Sequence, residues 1–195
     1  MNAAQRSDLH DLRRAAAARD HEQSQFLLKR LLLSLDYFAA LAIVAGRLWA
    51  WLEIFESYYP DEAWVRRLLL SIANFGSPPD DSIAEAALSQ PFSEPGAGNY
   101  IKAVYDLTQA MQPKHGGEVR AGFMTSAVVN AITAEVAEAW YGEHEDAWQQ
   151  VRANQIDPIS GAWSDPEAQQ IALAFWLDEQ TVALETACWR EVADA

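Results

Sequence analysis

Between Tyr37 and Tyr59 the chain places Tyr37, Leu41, Val44, Leu48, Leu52, Phe55 and Tyr59 at steps of three and four residues. At about 100° per residue these side chains fall within one narrow arc, the mark of a helix that buries a single stripe. A half-buried strand would alternate apolar and polar residues at every second position, and this run does not. The overlapping stretch Gly46 to Trp64 holds three Trp, two Tyr and one Phe. Most of these fall on or beside the stripe, so burial preference assigns them to a core. Trp49 is the exception. It lies on the side of Glu53 and Glu56, where an indole needs either a covering helix or a partner surface.

The remainder of the chain punctuates in the same helical language. It is half apolar and rich in Ala, with few β-branched runs, which favours helix over sheet. "QFLLKRLLLSL" predicts a short helix, and Asp36 stands ready to cap the one after it. Asp61 precedes a further helix that ends near Gly76 and the prolines beyond; Asp81 or Ser82 opens a short one before Pro91. Asn99 to Met111 is amphipathic, and "QPKHGG" is a turn. Glu118 to Trp140 is apolar on nearly all sides through Val119, Phe123, Val128, Ile132 and Val136, which predicts the central helix. Asp165 and Pro166 open a last helix that runs to about Val192. The expected fold is all-α, an irregular bundle of about six to seven helices around that central apolar helix. It occupies residues 25–195 as one domain, with residues 1–24 as an N-terminal extension, either a short helix or a frayed end. A chain of 195 residues can bury a full core unaided.

The net charge of −14 is unevenly placed. The first thirty residues carry six basic and four acidic side chains, whereas Glu135 to Glu167 carries eight acids against Arg152 alone. Binding nucleic acid through phosphate neutralisation requires the opposite sign, so no nucleic-acid partner is expected. A basic protein partner fits, with Glu143, Glu145 and Asp146 as contact candidates. Cys188 is the single cysteine, which excludes an internal disulfide and suits a reducing compartment. The N-terminus lacks the apolar segment of a signal peptide. The apolar run Tyr37 to Leu52 falls short of the roughly 20 residues of a span and contains Arg47. A cytoplasmic protein without a membrane segment is therefore expected.

Arg47 lies beside the apolar arc, near Ala40, Trp51, Ile54 and Tyr58. A guanidinium there requires an aromatic face or a carboxylate. The last helix offers Asp178 and Glu185 within its stripe Ile171, Phe175, Val182 and Trp189, and carboxylates in such a stripe need partners of their own. Arg47 is thus expected to pair with Asp178 or Glu185, either as a structural ion pair or as the lining of a ligand pocket. His10, His21, His115 and His144 lack ligand spacing, and the adjacent residues of "EHED" point in different directions on one helix. No metal or cofactor is expected. Neither a glycine-rich phosphate loop nor a nucleophile elbow is present, and no catalytic residue emerges.

Four segments, "LKRLLLSLDYFAALAIVAGRLWAWLEIF", "NYIKAVYDLTQ", "FMTSAVVNAITAE" and "DPEAQQIALAFWLDEQ", resemble the YjaG-like family, bacterial all-helical proteins of unestablished function. The resemblance spans most of residues 28–185, leaving the first twenty-five residues and Tyr141 to Ser164 without a counterpart. It implies the helical fold, includes Arg47 in the shared pattern and transfers no catalytic residue. The expected function is binding rather than catalysis, to a protein partner or to a second copy through the helix face that carries Trp49. One alternative is an acidic immunity protein or antitoxin that neutralises a basic protein. Another is a small-molecule binder or enzyme with a pocket near Arg47, Asp178 and Glu185.

Overall fold

The computed structural model describes residues 2–73, 81–90, 92–153 and 166–195. Among them there are ten helices and no strand: α1 (Ala3–Ala17), α2 (His21–Ser34), α3 (Tyr37–Tyr58), α4 (Trp64–Ala73), α5 (Asp81–Leu88), α6 (Ala97–Met111), α7 (Gly117–Glu143), α8 (Glu145–Ala153), α9 (Pro166–Leu177) and α10 (Glu179–Asp194). The fold is all-α. Three features raise the number above the six or seven that the sequence pattern separates. The N-terminal extension forms a helix, the acidic connection contributes α8, and the last helix breaks in two at Asp178. The expected caps near Gly76 and at Asp165 lie outside the described residues.

Short polar side chains start four of the helices by satisfying first-turn N–H groups. Asn2 and Gln5 form a reciprocal capping box on α1, Asp20 caps α2 through Gln23, and Asp36 caps α3 through Phe38 and Ala39. Asp178 accepts from the Thr181 N–H at 2.8 Å and so starts α10, which is why the last helix does not continue through it. The start of α4 falls at Trp64, three residues after Asp61. The α1–α2 turn is a Schellman motif: Arg19 N–H bonds Ala16 O and Asp20 N–H bonds Ala15 O, both at 3.0 Å. Arg19 takes the left-handed position with φ 55°, where glycine is the usual residue.

α1 is no frayed end. It packs on α2 and α10, with Leu12 fully buried and Ala15 and Ala16 beside it. α7 meets α2, α3, α6, α8 and α10, and its largest contact is with α6. The two backbones approach so closely that a Cβ at Gly96 would sit 2.1 Å from Ala134 O, and Gly96 also has φ 76°. Only glycine meets both conditions. The stripe of α3 enters the core here: Trp51 and Phe55 pack against Tyr100 of α6 at ring-centroid distances of 4.9 and 5.0 Å. Tyr100 OH donates to Leu48 O at 2.9 Å, so its buried hydroxyl is satisfied.

Candidate functional site

Arg47 is buried, as its place beside the apolar arc requires, but its partners are not those expected. Its Nη2 bonds Glu135 of α7, and its Nη1 donates to Glu191 Oε2 of α10 at 3.2 Å. Neither Asp178 nor Glu185 reaches it. The expectation of those two carboxylates rested on one continuous last helix, whose apolar stripe would carry both toward α3. The break at Asp178 removes that register, and the long arginine stem carries the guanidinium past its own arc to the polar seam between α7 and α10. Cys188 lies buried against this pair; burial pushes its thiol up to about 12, although Arg47 pulls the other way. It is an inert core thiol.

Asp178 acts as a helix cap, and the Thr181 backbone N–H holds its carboxyl below the usual aspartate range. Glu185 belongs to a different constellation, at the junction of α10 with the α1–α2 turn. Its Oε1 lies 3.1 Å from His21 Nδ1 and its Oε2 lies 3.4 Å from Arg19 Nη2. The same Nη2 donates to Trp176 O at 3.0 Å. Burial opposes ionisation of Glu185, but His21 and Arg19 outweigh it and hold the carboxyl below its ordinary range. The bond to Glu185 in turn raises His21, against the desolvation that lowers it. An open groove of about 550 Å³ adjoins these groups, walled by Trp176 and Trp189 and floored by Val129 and Ile132. Sequence reading placed Glu185 and His21 separately and passed over Arg19, because nothing in the order of residues links position 19 to 185.

Trp49 is 38% exposed, with the Arg66 guanidinium of α4 lying 5.6 Å from its ring centroid. Arg66 is itself bonded to Glu56. Trp49 belongs to an outer face of α3 on which Phe38, Ala39, Ala42, Gly46 and Ala50 are also exposed. α3, at 22 residues, runs as far as its sequence stripe predicts and by length and composition alone could cross a membrane, a test that core helices also pass; 44% of its apolar window is buried. A groove of about 480 Å³ flanks this face beside Leu69 and Ile72 of α4. A second groove, of about 700 Å³, flanks it beside Leu9, Leu31 and Val192.

The acidic candidates are less uniform than their sequence cluster. Glu143, Glu145 and Asp146 are exposed where α7 passes into α8, and Glu145 bonds Gln149. Glu135 and Glu138 instead serve internal contacts, with Arg47 and with Tyr58 OH at 3.1 Å. His144 stacks on Trp140 at 4.1 Å and uses Nδ1 on Trp140 O. Sequence reading also missed a clasp between α6 and α7: Asp106, 1% exposed, accepts from Ser126 Oγ at 2.6 Å and pairs with Lys102. The 102–106 spacing, Lys then Asp one turn on, was the available signal. No family model matches this chain, and the searches of curated proteins and of solved structures return no match.

Proposed function

We propose that this chain acts by binding rather than by catalysis, and that its principal surface is the outer face of α3, docked on a second copy of itself. The observation that carries the reading is the run of exposed apolar and small residues from Phe38 to Ala50, uninterrupted by an exposed charge. Contiguous exposed apolar patches mark contact surfaces. The arrangement is self-complementary. Phe38 and Trp49 lie on the same edge of the face about 16 Å apart, eleven residues at the helical rise. The small residues Ala42 and Gly46 lie between them. An antiparallel two-fold pairing centred between Ile43 and Val44 lets the helices approach at Ala42 and Gly46 and sets Phe38 of each copy against Trp49 of the other. Gly46 costs about 0.5–1 kcal/mol of helix stability relative to Ala, yet a Cβ there would meet nothing within 4 Å. Nothing among the described residues needs that glycine, and a closely packed second copy would use it. The bundle so formed is organised around α7, and the pattern-level likeness to YjaG-like helical proteins agrees with that fold without supplying an activity.

Sedimentation equilibrium tests the reading, comparing the 21.7 kDa chain with Gly46→Arg. The substitution has room in the protomer and improves helix propensity, so a folded monomer is expected from the variant and a dimer from the native chain. A native chain that stays monomeric at high protein concentration overturns the reading. Co-sedimentation with lipid vesicles would then assign the face to a membrane surface, and salt-sensitive capture of a basic protein would favour neutralisation by the acidic region.

A further inference from the structure

The groove beside Glu185 lies apart from the α3 face, lined by α7, α9, α10 and the α1–α2 turn with the start of α2. We infer that it is a binding site for a small monocarboxylate with a flat apolar body, the carboxylate held by Arg19 and His21 and the body lying between Trp176 and Trp189.

The charge balance comes first. Glu185 is 6% exposed and sits beneath two cations that remain partly open, Arg19 with 26% and His21 with 46% of the side chain exposed. One buried anion beneath two outward basic groups gives the groove a basic rim, with Arg19 charged throughout and His21 charged when protonated, on a protein of net charge −14. A rim of that kind suits one carboxylate. Donor capacity points the same way. Both protein bonds of the Arg19 fork leave from Nη2, and its Nε is buried with no acceptor. His21 uses Nδ1 on Glu185, so Nε2 is turned away from that bond and is an N–H donor in the imidazolium form that Glu185 favours. The Nη1 edge of Arg19, which takes part in neither of the Nη2 bonds, has N–H donors for a ligand oxygen.

The body of the ligand follows from the walls. Trp176 packs edge-on to His21, with centroids 6.0 Å apart, and Trp189 is buried at the back. Two indoles and the aliphatic floor suit an aromatic ring, and about 550 Å³ lies within the usual range for small-molecule sites. Arg19 enters this site from a left-handed backbone position, φ 55°, where glycine would be unstrained. The backbone there favours glycine; the groove uses a guanidinium.

The test uses indole-3-acetate as probe and its uncharged amide as control, with binding read by calorimetry on the full chain. Saturable binding of the acid is expected, at least tenfold weaker for the amide. Arg19→Gly keeps the Schellman turn and should weaken the acid at least tenfold while leaving the amide unchanged. His21→Gln provides a second variant at a largely exposed position, with a several-fold loss expected for the acid alone. No saturable binding of the acid, equal binding of acid and amide, or an acid affinity indifferent to both variants would each overturn the inference. The oligomeric state, measured alongside, separates this result from the α3 reading.

Discussion

At the junction of α3, α7 and α10 the buried charge is a cation, Arg47, and its two carboxylates reach outward. At the junction of α10 with the α1–α2 turn the buried charge is an anion, Glu185, and its two cations reach outward. The clusters share one arrangement turned inside out, a buried group held by two partners of the opposite kind. What faces solvent is therefore opposite: acceptors at the first, donors at the second. At the first, the guanidinium is buried and held by Glu135 and Glu191, with Arg47 and Glu191 also lining the groove of about 700 Å³ beside α3. The second leaves donors toward an apolar groove, which is how a protein of strongly acidic composition comes to present a local anion site.

The comparison breaks most visibly at Glu135. Glu135→Ala leaves a buried guanidinium with only the exposed Glu191, and a loss of about 3 kcal/mol is expected in urea unfolding, because an uncompensated buried charge is the costly state. Arg47→Met removes the charge and keeps much of the stem, so its cost should stay within about 1.5 kcal/mol. An equally large loss in both variants would show that Arg47 contributes more than an ion pair. Glu185→Leu is the smaller perturbation, about 1 kcal/mol, since Arg19 and His21 can turn to water once the carboxylate is gone.

The smallest effect is in the pH dependence, and it belongs to the second cluster, whose two titrating partners shift in opposite directions. His21 is raised above 6.5 in the folded protein, so its contribution is complete below 6.5 and is lost as pH rises through the raised value. Glu185 is lowered below 4.5, so its contribution is present above 4.5 and is lost as pH falls through the lowered value. Their bond is strongest between those limits and weakens on the alkaline side. His21→Gln should abolish that alkaline weakening, seen as unfolding midpoints that no longer differ between about pH 6 and about pH 8.5. A native chain without the weakening would mean that the His21–Glu185 bond contributes nothing to stability.

How far each cluster was legible follows from the range of the forces involved. Helices are local, so the stripe of α3, the cap at Asp36 and the opening of α9 at Pro166 can be read from neighbouring residues. The assignment of Trp51 and Phe55 to the core follows from the same periodicity. Arg47 was identifiable as a buried cation for that reason too. Its partners were not. Whether Asp178 continues a helix or caps the next depends on a competition between its side chain and the backbone, which the apolar stripe on either side conceals. Glu135 lies 88 residues and Glu191 144 residues from Arg47, and Glu185 lies 166 from Arg19; only packing chooses among carboxylates at such separations. By itself, the sequence determined that this chain would be helical, which faces would seek burial, and that Arg47 would need a counter-charge. Tertiary structure alone decided which carboxylates meet which cations, that α1 belongs to the core, and that α3 keeps an apolar face outward. The physical reason is that backbone geometry is set within a few residues, whereas burial and charge pairing depend on which surfaces meet.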